Sequence, residues 1–270
     1  METSGFGGHR KIYADLLKRL ASADIARLAG HLNLPINNTG EAEIPFLGQT
    51  YLISNQGVRR RDQRSFPQTT GSVLIHYLLA GSSSRPAGKF VPLAELAGPL
   101  FKQSSYSQGA LEGPLIKRFQ GRIPEFLSIA ESIGGLQGGL SGLGSVSVIF
   151  DVLPSILLQL IFYDKDDEFP ARATVLLDAN ATQLIDFESL AVLVTIFVRF
   201  LTETEGSRLS KTQLEGYVGS PSPDNGKYPI NSVRCLQKTE KPGQNFKDGL
   251  SPSEYRSRFT GDDDLASSDH

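Results

Sequence analysis

The strongest pattern along the chain is a series of apolar segments in its second half. Two short runs rich in β-branched side chains, 145–153 and 156–164, precede a polar turn, and a third run ends at Asp178. These lengths and residue types indicate buried strands, and short turns between neighbouring strands favour antiparallel pairing. The segment FESLAVLVTIFVRFL then predicts a deeply buried helix that Asp186 caps, because it is apolar on most sides.

Helical spacing of apolar residues appears repeatedly in the first half of the chain. Residues 10–20 predict one helix, and Ser22 is a suitable cap for a second helix that carries Ile25 and Leu28. A third predicted helix, SVLIHYLLAG, has Thr69 or Thr70 as its cap and Gly81 as its stop. Two further helices are predicted over residues 111–119 and 123–133, with Pro124 tolerated in a first turn.

A small β-meander is predicted between the second and third helices. The segment EIPFLGQTYLISNQGVRRR has β-rich runs broken by Gly48 and by residues 55–57, which are typical turn positions. Pro45 cannot donate to a strand ladder, so the first strand is expected at an edge. Further on, KFVPLAEL is expected to be extended, and the segment GGLQGGLSGLG to be a flexible connector.

These elements predict an α+β fold in one domain, residues 10–205. The antiparallel sheet comes from residues 145–178, and the helices pack mainly on one of its faces. Residues 1–9 are expected to be a flexible N-terminus. Residues 206–270 are poor in aliphatic side chains and rich in Pro, Gly, Ser and charge, so we expect a disordered tail.

Composition narrows the classes of partner and the compartment. The net charge of −2 provides no field that would attract nucleic acid or an anionic membrane. The basic run Arg59, Arg60, Arg61 and Arg64 has no interleaved aromatic residue and is interpreted as a solvated face. Asp151 and Pro154 interrupt the longest apolar run, which argues against a membrane span. With one cysteine and no apolar leader, the chain is expected in the cytoplasm.

The polar turn between the second and third predicted strands is the best candidate for chemistry. It carries the carboxylates Asp164, Asp166, Asp167 and Glu168, which are oxygen ligands of the kind that Ca²⁺ and Mg²⁺ prefer. The calcium-loop pattern is broken, however, because Phe169 stands where that loop needs Gly. A solvated hairpin tip that ends at Pro170 is therefore the preferred interpretation, and no metal site is predicted.

His76 and Asp178 are the other candidate functional residues. His76 is interpreted as a hydrogen-bonded core histidine, and Asp178 as an acceptor for backbone groups at a turn. Two hypotheses follow: a non-catalytic binding or accessory module with a protein or small-ligand partner, or a metal-dependent enzyme that uses the acidic turn. The enzyme hypothesis requires His76 or Asp178 to lie close to that turn.

The order of several segments resembles a known family. The series IPFLGQTYLIS, VLIHYLLAG and GKFVPLAEL, followed by YDKDDEFPARATVLLDANATQLIDFESLAVL, is similar to the bacterial and archaeal family catalogued as domain of unknown function 3786. The resemblance covers residues 10–205, and its most specific part is Asp-Asp-Glu-Phe-Pro followed by Leu-Asp. The chain departs from the family at Phe90 and Tyr163, where the family tends to have Trp.

The resemblance implies no activity, because the family has no established one. Some members carry an added cysteine-rich iron–sulfur segment like that of corrinoid proteins. Cys235 is the single cysteine of this chain, and a cluster of that kind takes four thiolates, so no cofactor is predicted.

Overall fold

A computed structural model describes residues 5–97, 109–138 and 144–204, with side chains from residue 10 onward. The elements in chain order are α1 (Gly5–Ala21), α2 (Ile25–His31), β1 (Ala42–Phe46), β2 (Gln49–Ser54), β3 (Gly57–Arg60), α3 (Gln68–Ala80), β4 (Phe90–Pro92), α4 (Leu93–Leu96), α5 (Glu112–Phe119), α6 (Ile123–Ser132), β5 (Leu136–Gly138), β6 (Ser145–Leu153), β7 (Ile156–Tyr163), β8 (Arg172–Asp178), α7 (Ala181–Leu184) and α8 (Phe187–Glu203).

The larger sheet has five strands in the order β4-β8-β7-β6-β5, and every neighbouring pair is antiparallel. The sheet predicted over residues 145–178 is therefore confirmed as β6, β7 and β8. The short strands β4 and β5 add an edge on each side. Because β5 pairs with β6, the prediction that residues 136–138 belong to a flexible connector is wrong. The backbone of this short segment gains ladder hydrogen bonds there, and the rest of the connector, 139–143, lies outside the described residues.

One face of this sheet is buried under helices, as predicted for the α+β fold. We call it the inner face; on β6, β7 and β8 it carries Val148, Phe150, Leu158, Leu160, Phe162, Val175 and Leu177. The Phe197 ring of α8 packs 4.9 Å from the Phe150 ring, edge to face. The Phe126 ring of α6 lies 6.2 Å from the Phe162 ring. Among the described helices, none combines the length and apolar character that crossing a membrane requires.

The predicted meander is also confirmed, as the three-stranded sheet β1-β2-β3. Leu47 and Gly48 join β1 to β2 with φ angles of 48° and 70°, which is the backbone of a type I′ hairpin. β1 lies at the edge, as Pro45 indicated. The Asn55 amide then donates hydrogen bonds of 2.8 Å to the carbonyls of Leu20 and Ala23, so the second turn holds the α1–α2 junction.

Two of the predicted helix caps differ from those in the structure. The cap of α2 is Asp24, which accepts the Arg27 N–H at 3.0 Å, because the Ser22 hydroxyl instead donates to the Arg19 carbonyl. Helix α3 begins at Gln68 after Pro67, whose φ of −63° already suits a helix start, so no threonine cap is used. Gly81 ends α3 in the left-handed conformation, as predicted.

The predicted terminal segments have different outcomes. Helix α1 begins at Gly5, within the stretch expected to be a flexible N-terminus. The tail predicted over residues 206–270 lies outside the described residues.

A polar network at the edge of the small sheet is built around Glu41. The Arg59 guanidinium donates to both carboxylate oxygens, and the Asn37 amide and Thr39 hydroxyl donate to Oε2 at 2.8 and 2.9 Å. Glu41 lies near the protein surface, but these partners cover it, so that only 9% of its surface is exposed. The hydrogen bond from Arg59, followed by the one from Asn37, lowers the pKa of Glu41 to about 2.

The Glu41 network should stabilise the fold in a pH-dependent way. Because the folded-state pKa lies below the usual value of 4.5, the stabilisation is present above that pH and is lost as the pH falls toward about 2. We expect Glu41→Gln to lower the free energy of unfolding by about 1–2 kcal/mol at neutral pH. Urea unfolding across this pH range should show the difference from wild type shrinking as acid is added.

A matched control is Glu43→Gln, because Glu43 forms a surface ion pair with Arg61. Its cost should be below about 1 kcal/mol. Equal losses for both variants at every pH would contradict the role given to Glu41.

Candidate functional site

The acidic turn between β7 and β8 is shaped by its own carboxylates. Asp166 Oδ1 accepts the backbone N–H groups of Glu168 at 2.9 Å and Phe169 at 2.6 Å, and the Asp166 N–H donates to the Phe169 carbonyl at 3.0 Å. This is the local side-chain-to-backbone bonding by which Asp initiates turns. Asp166 therefore closes the hairpin tip and leaves Asp167 and Glu168 exposed to solvent.

Asp164 joins the turn to the helical layer. Both of its carboxylate oxygens accept the Gly121 N–H, at 2.9 and 3.0 Å, and Oδ1 also accepts the Lys165 N–H at 2.8 Å. Gly121 follows α5, and its φ of 71° is one that glycine adopts readily. Asp164 thus fixes the α5–α6 junction against the end of β7.

Asp178 is buried, with only 1% of its surface exposed, at the other end of β8. Oδ1 accepts the N–H groups of Ala87 and Asn180 at 2.8 and 2.9 Å, and Oδ2 accepts the Gly88 N–H at 2.7 Å. The carboxylate thereby holds the loop that precedes β4 onto the end of β8. Asp178 occupies the turn position predicted for it and bonds backbone groups there.

His76 lies beside the start of α8. Its Nδ1 is 3.3 Å from Asp186 Oδ2, while Asp186 Oδ1 caps α8 by accepting the Ser189 N–H at 2.9 Å. The His76 side chain is 28% exposed, so this histidine, predicted to be a hydrogen-bonded core residue, lies at the edge of the core with the Asp186 carboxylate as its partner. It is partly open because its carboxylate partner is itself an exposed helix cap.

The structure separates these candidate residues. His76 contacts Asp186 at the start of α8. At the other end of α8, the Thr204 carbonyl lies 3.4 Å from Arg118 of α5. Arg118 is three residues before Gly121, to which Asp164 is bonded, so Asp164 lies near the end of α8. A 17-residue helix spans about 25 Å. Asp178 is also remote from the acidic turn, because the seven residues of β8 extend over about 20 Å between them. The arrangement needed for the metal-dependent hypothesis does not form.

No three His, Cys, Asp or Glu side chains of the described residues are placed so that they could hold a metal ion together.

Asp151 is a titratable group in β6 to which no chemistry was assigned. It lies beside the β-bulge between Asp151 and Leu153, and burial raises its pKa to about 7 while a backbone hydrogen bond from Ser155 lowers it. Asp151 is exposed to solvent, so water offsets part of the desolvation, and its pKa lies between the usual value of 3.8 and about 7. Asp178 lies two strands away, about 10 Å across the sheet, which is too far for the two carboxyls to share a proton.

The feature that sequence reasoning missed is the second face of the five-stranded sheet. We call it the outer face; on β6, β7 and β8 it carries Ser147, Ile149, Asp151, Leu157, Gln159, Ile161, Thr174 and Leu176. Three of these, Ile149, Ile161 and Leu176, are half-buried and make no contact with the core cluster. Their signal in the sequence is that β6 and β7 are apolar at outward as well as inward positions, which is typical of strands covered on both faces.

The basic run of the small sheet is occupied by acidic partners. Each arginine has a carboxylate within ion-pair distance: Arg59 with Glu41, Arg60 and Arg64 with Asp62, and Arg61 with Glu43. A phosphate would have to compete with these carboxylates.

The buried Asp178 should tolerate substitution poorly. In Asp178→Asn, one amide oxygen can still accept two N–H groups, but the amide nitrogen then faces the Gly88 N–H, donor against donor. We expect a loss of about 2 kcal/mol in the free energy of unfolding. Asp164→Asn is the matched control, since its single oxygen can serve both backbone donors, and should cost below about 0.5 kcal/mol. Equal losses in the free energy of unfolding for the two variants would show that the hydrogen bonds of Asp178 stabilise the fold no more than those of Asp164.

The acidic turn should behave as a solvated hairpin tip. An Asn at position 166 keeps the accepting oxygen, and residue 167 is exposed, so the double variant Asp166→Asn/Asp167→Asn should stay within about 0.5 kcal/mol of wild type. Millimolar Mg²⁺ or Ca²⁺ should leave the melting temperature of both proteins unchanged. A metal-dependent rise in wild type that the double variant lacks would instead reveal a cation site by mass action.

A family model covers most of the described fold. The model described as Domain of unknown function (DUF3786) matches residues 24–200, about two thirds of the chain, from α2 through most of α8. No curated protein and no solved structure matches the chain. The match includes both sheets and all the candidate residues discussed above, and it agrees with the resemblance of the motifs. The chain therefore belongs to the family described as Domain of unknown function (DUF3786).

Proposed function

We propose that this protein is a non-catalytic binding module that presents the outer face of its five-stranded sheet to a protein partner. The observation that carries the proposal is the set of half-exposed apolar side chains Ile149, Ile161 and Leu176 on a face outside the core cluster. Partly exposed apolar side chains grouped on one face of a sheet are typical of interaction sites in folded proteins.

The polar candidates support the same proposal in a second way. Asp164, Asp166 and Asp178 accept backbone hydrogen bonds, and Asp186 caps a helix next to His76. Each of these side chains has a structural task, and the tasks lie at different corners of the fold. A binding role does not require them to converge, whereas catalysis would.

The chemistry of the outer face defines the partner it fits. Ile149, Ile161 and Leu176 fit an apolar strip on the partner. The Gln159 amide nitrogen already donates to the Ser147 hydroxyl at 2.9 Å, so Gln159 Oε1 and the Thr174 hydroxyl are the groups that can hydrogen-bond to the partner there. Exposed Asp151 stands toward one end of the face and exposed Arg172 at the other. A complementary partner therefore has an apolar centre with a basic group near Asp151 and an acidic group near Arg172. Nucleic acid is not proposed, since the basic run is held in ion pairs.

A charge placed at the centre of the outer face should abolish binding without unfolding the protein. We expect full-length Ile161→Lys to remain folded, because the side chain is only half-buried, and to lose the host proteins that wild type retains on an affinity matrix. The matched control is Ile12→Lys, at an isoleucine 49% exposed on α1, which should retain them. The same proteins bound equally by wild type and Ile161→Lys would overturn the proposal.

A further inference from the structure

We propose that residues 205–270 dock on the outer face of the sheet in their own chain, and that a partner binds by displacing them. This inference rests on the proposed function, because it takes the outer face as the binding surface and adds its regulation. The occupant is a named part of the same polypeptide.

The pattern of the outer face indicates that something covers it. An antiparallel sheet with one solvated face alternates apolar inward and polar outward residues. In β6 and β7, the outward positions include Ile149, Leu157 and Ile161. Leu157 is already buried although it lies outside the core cluster, and the other two are half-buried. Covering the remaining apolar area would remove it from water at a gain of about 25 cal/mol per Å².

The described chain ends in the helical layer, at the corner beside the end of β7. Thr204, the last described residue, lies beside Arg118 at the α5–α6 corner, which Asp164 holds against the end of β7. Along β7, Ile161 is two residues from Tyr163, a distance of about 7 Å. Ile149 and Leu176 both pair with Gln159, which is four residues, or about 13 Å, from Tyr163. From the helical layer the chain must also pass around the end of the sheet to reach the outer face. The 66 residues from 205 to 270 are long enough for that path, since five extended residues already span about 16 Å.

The residues beyond Thr204 contain suitable groups for this surface. They include five aromatic residues in a stretch with few aliphatic ones: Tyr217, Tyr228, Phe246, Tyr255 and Phe259. Each aromatic side chain can bury a large apolar area, and that composition offers it few apolar contacts within the stretch itself. Tethering also gives the segment an effective concentration in the millimolar range, which favours it over a second copy of the chain at ordinary protein concentrations.

The single cysteine of the chain allows a direct test on the full-length protein. Cys235 lies within residues 205–270, so a nitroxide attached to it reports where that segment goes without any substitution. We expect the methyl NMR signals of Ile149, Ile161 and Leu176 to lose intensity several-fold more than the signal of Ile12. Ile12 is the control because it is exposed on α1, which packs against α3 and β3, away from the five-stranded sheet.

Three results would overturn the inference. The first is equal broadening of Ile12 and Ile161. The second is broadening that arises only between labelled and unlabelled molecules in a mixture, which would mean that a second copy is the occupant. The third is broadening of Ile149 and Leu176 that persists in Ile161→Lys, because a specific apolar contact should not survive the charge. Leu176→Lys, read at Ile149 and Ile161, provides the same test should Ile161→Lys fail to fold.

The outcomes also separate this inference from the proposed function. If Ile161→Lys loses the partner while the nitroxide leaves the outer face unaffected, the binding surface stands and the docked segment falls. If the nitroxide broadens the outer face while Ile161→Lys keeps the partner, the docked segment stands and the proposed surface falls.

Discussion

The packing of α8 against the inner face of the five-stranded sheet is the constraint on which the rest of the structure depends. Side chains on a strand alternate with a period of two, so burying Phe150 and Leu160 beneath the helices sends Ile149 and Ile161 to the opposite side. A slip of one residue in register would exchange the two faces. The packing of α8 on this side, which includes the contact between the Phe150 and Phe197 rings, therefore places the core there and leaves Ile149 and Ile161 outside it.

The carboxylates of this protein are used chiefly as fixed hydrogen-bond acceptors for the backbone. Asp178 holds the loop before β4, Asp164 holds the α5–α6 junction, and Asp166 closes the hairpin tip. Each satisfies N–H groups that would otherwise lack a partner where the chain turns. Asp164, Asp166 and Asp178 are therefore explained as loop anchors, while Asp167 and Glu168 are exposed at the hairpin tip. The outer face remains as the surface with no such explanation.

The elements that could be predicted from the sequence are those that a local pattern determines. Residues 145–153 and 156–164 are strands within one residue of the prediction, because apolar β-branched runs bounded by turn residues have few other solutions. Gly81 ends α3 for a similarly local reason, the left-handed conformation that glycine permits.

Features that depend on distant partners could not be predicted in the same way. The three residues of β5 are a strand only because the edge of β6 is available to pair with them. The environment of His76 depends on Asp186, a residue 110 positions later that α8 brings beside it. The outer face is an intermediate case: its apolar residues are visible in the sequence, but their meaning depends on knowing that the helices cover the other side.

The two faces of β7 have different environments, and substitutions at adjacent residues on that strand test this difference most directly. Leu160 points into the core and is fully buried, while Ile161 points to the outer face and is half-buried. Urea unfolding should show that Leu160→Ala lowers the free energy of unfolding by about 2–5 kcal/mol and Ile161→Ala by about 1 kcal/mol or less. Equal losses for the two variants would mean that both faces are sealed within the core, and would contradict the account.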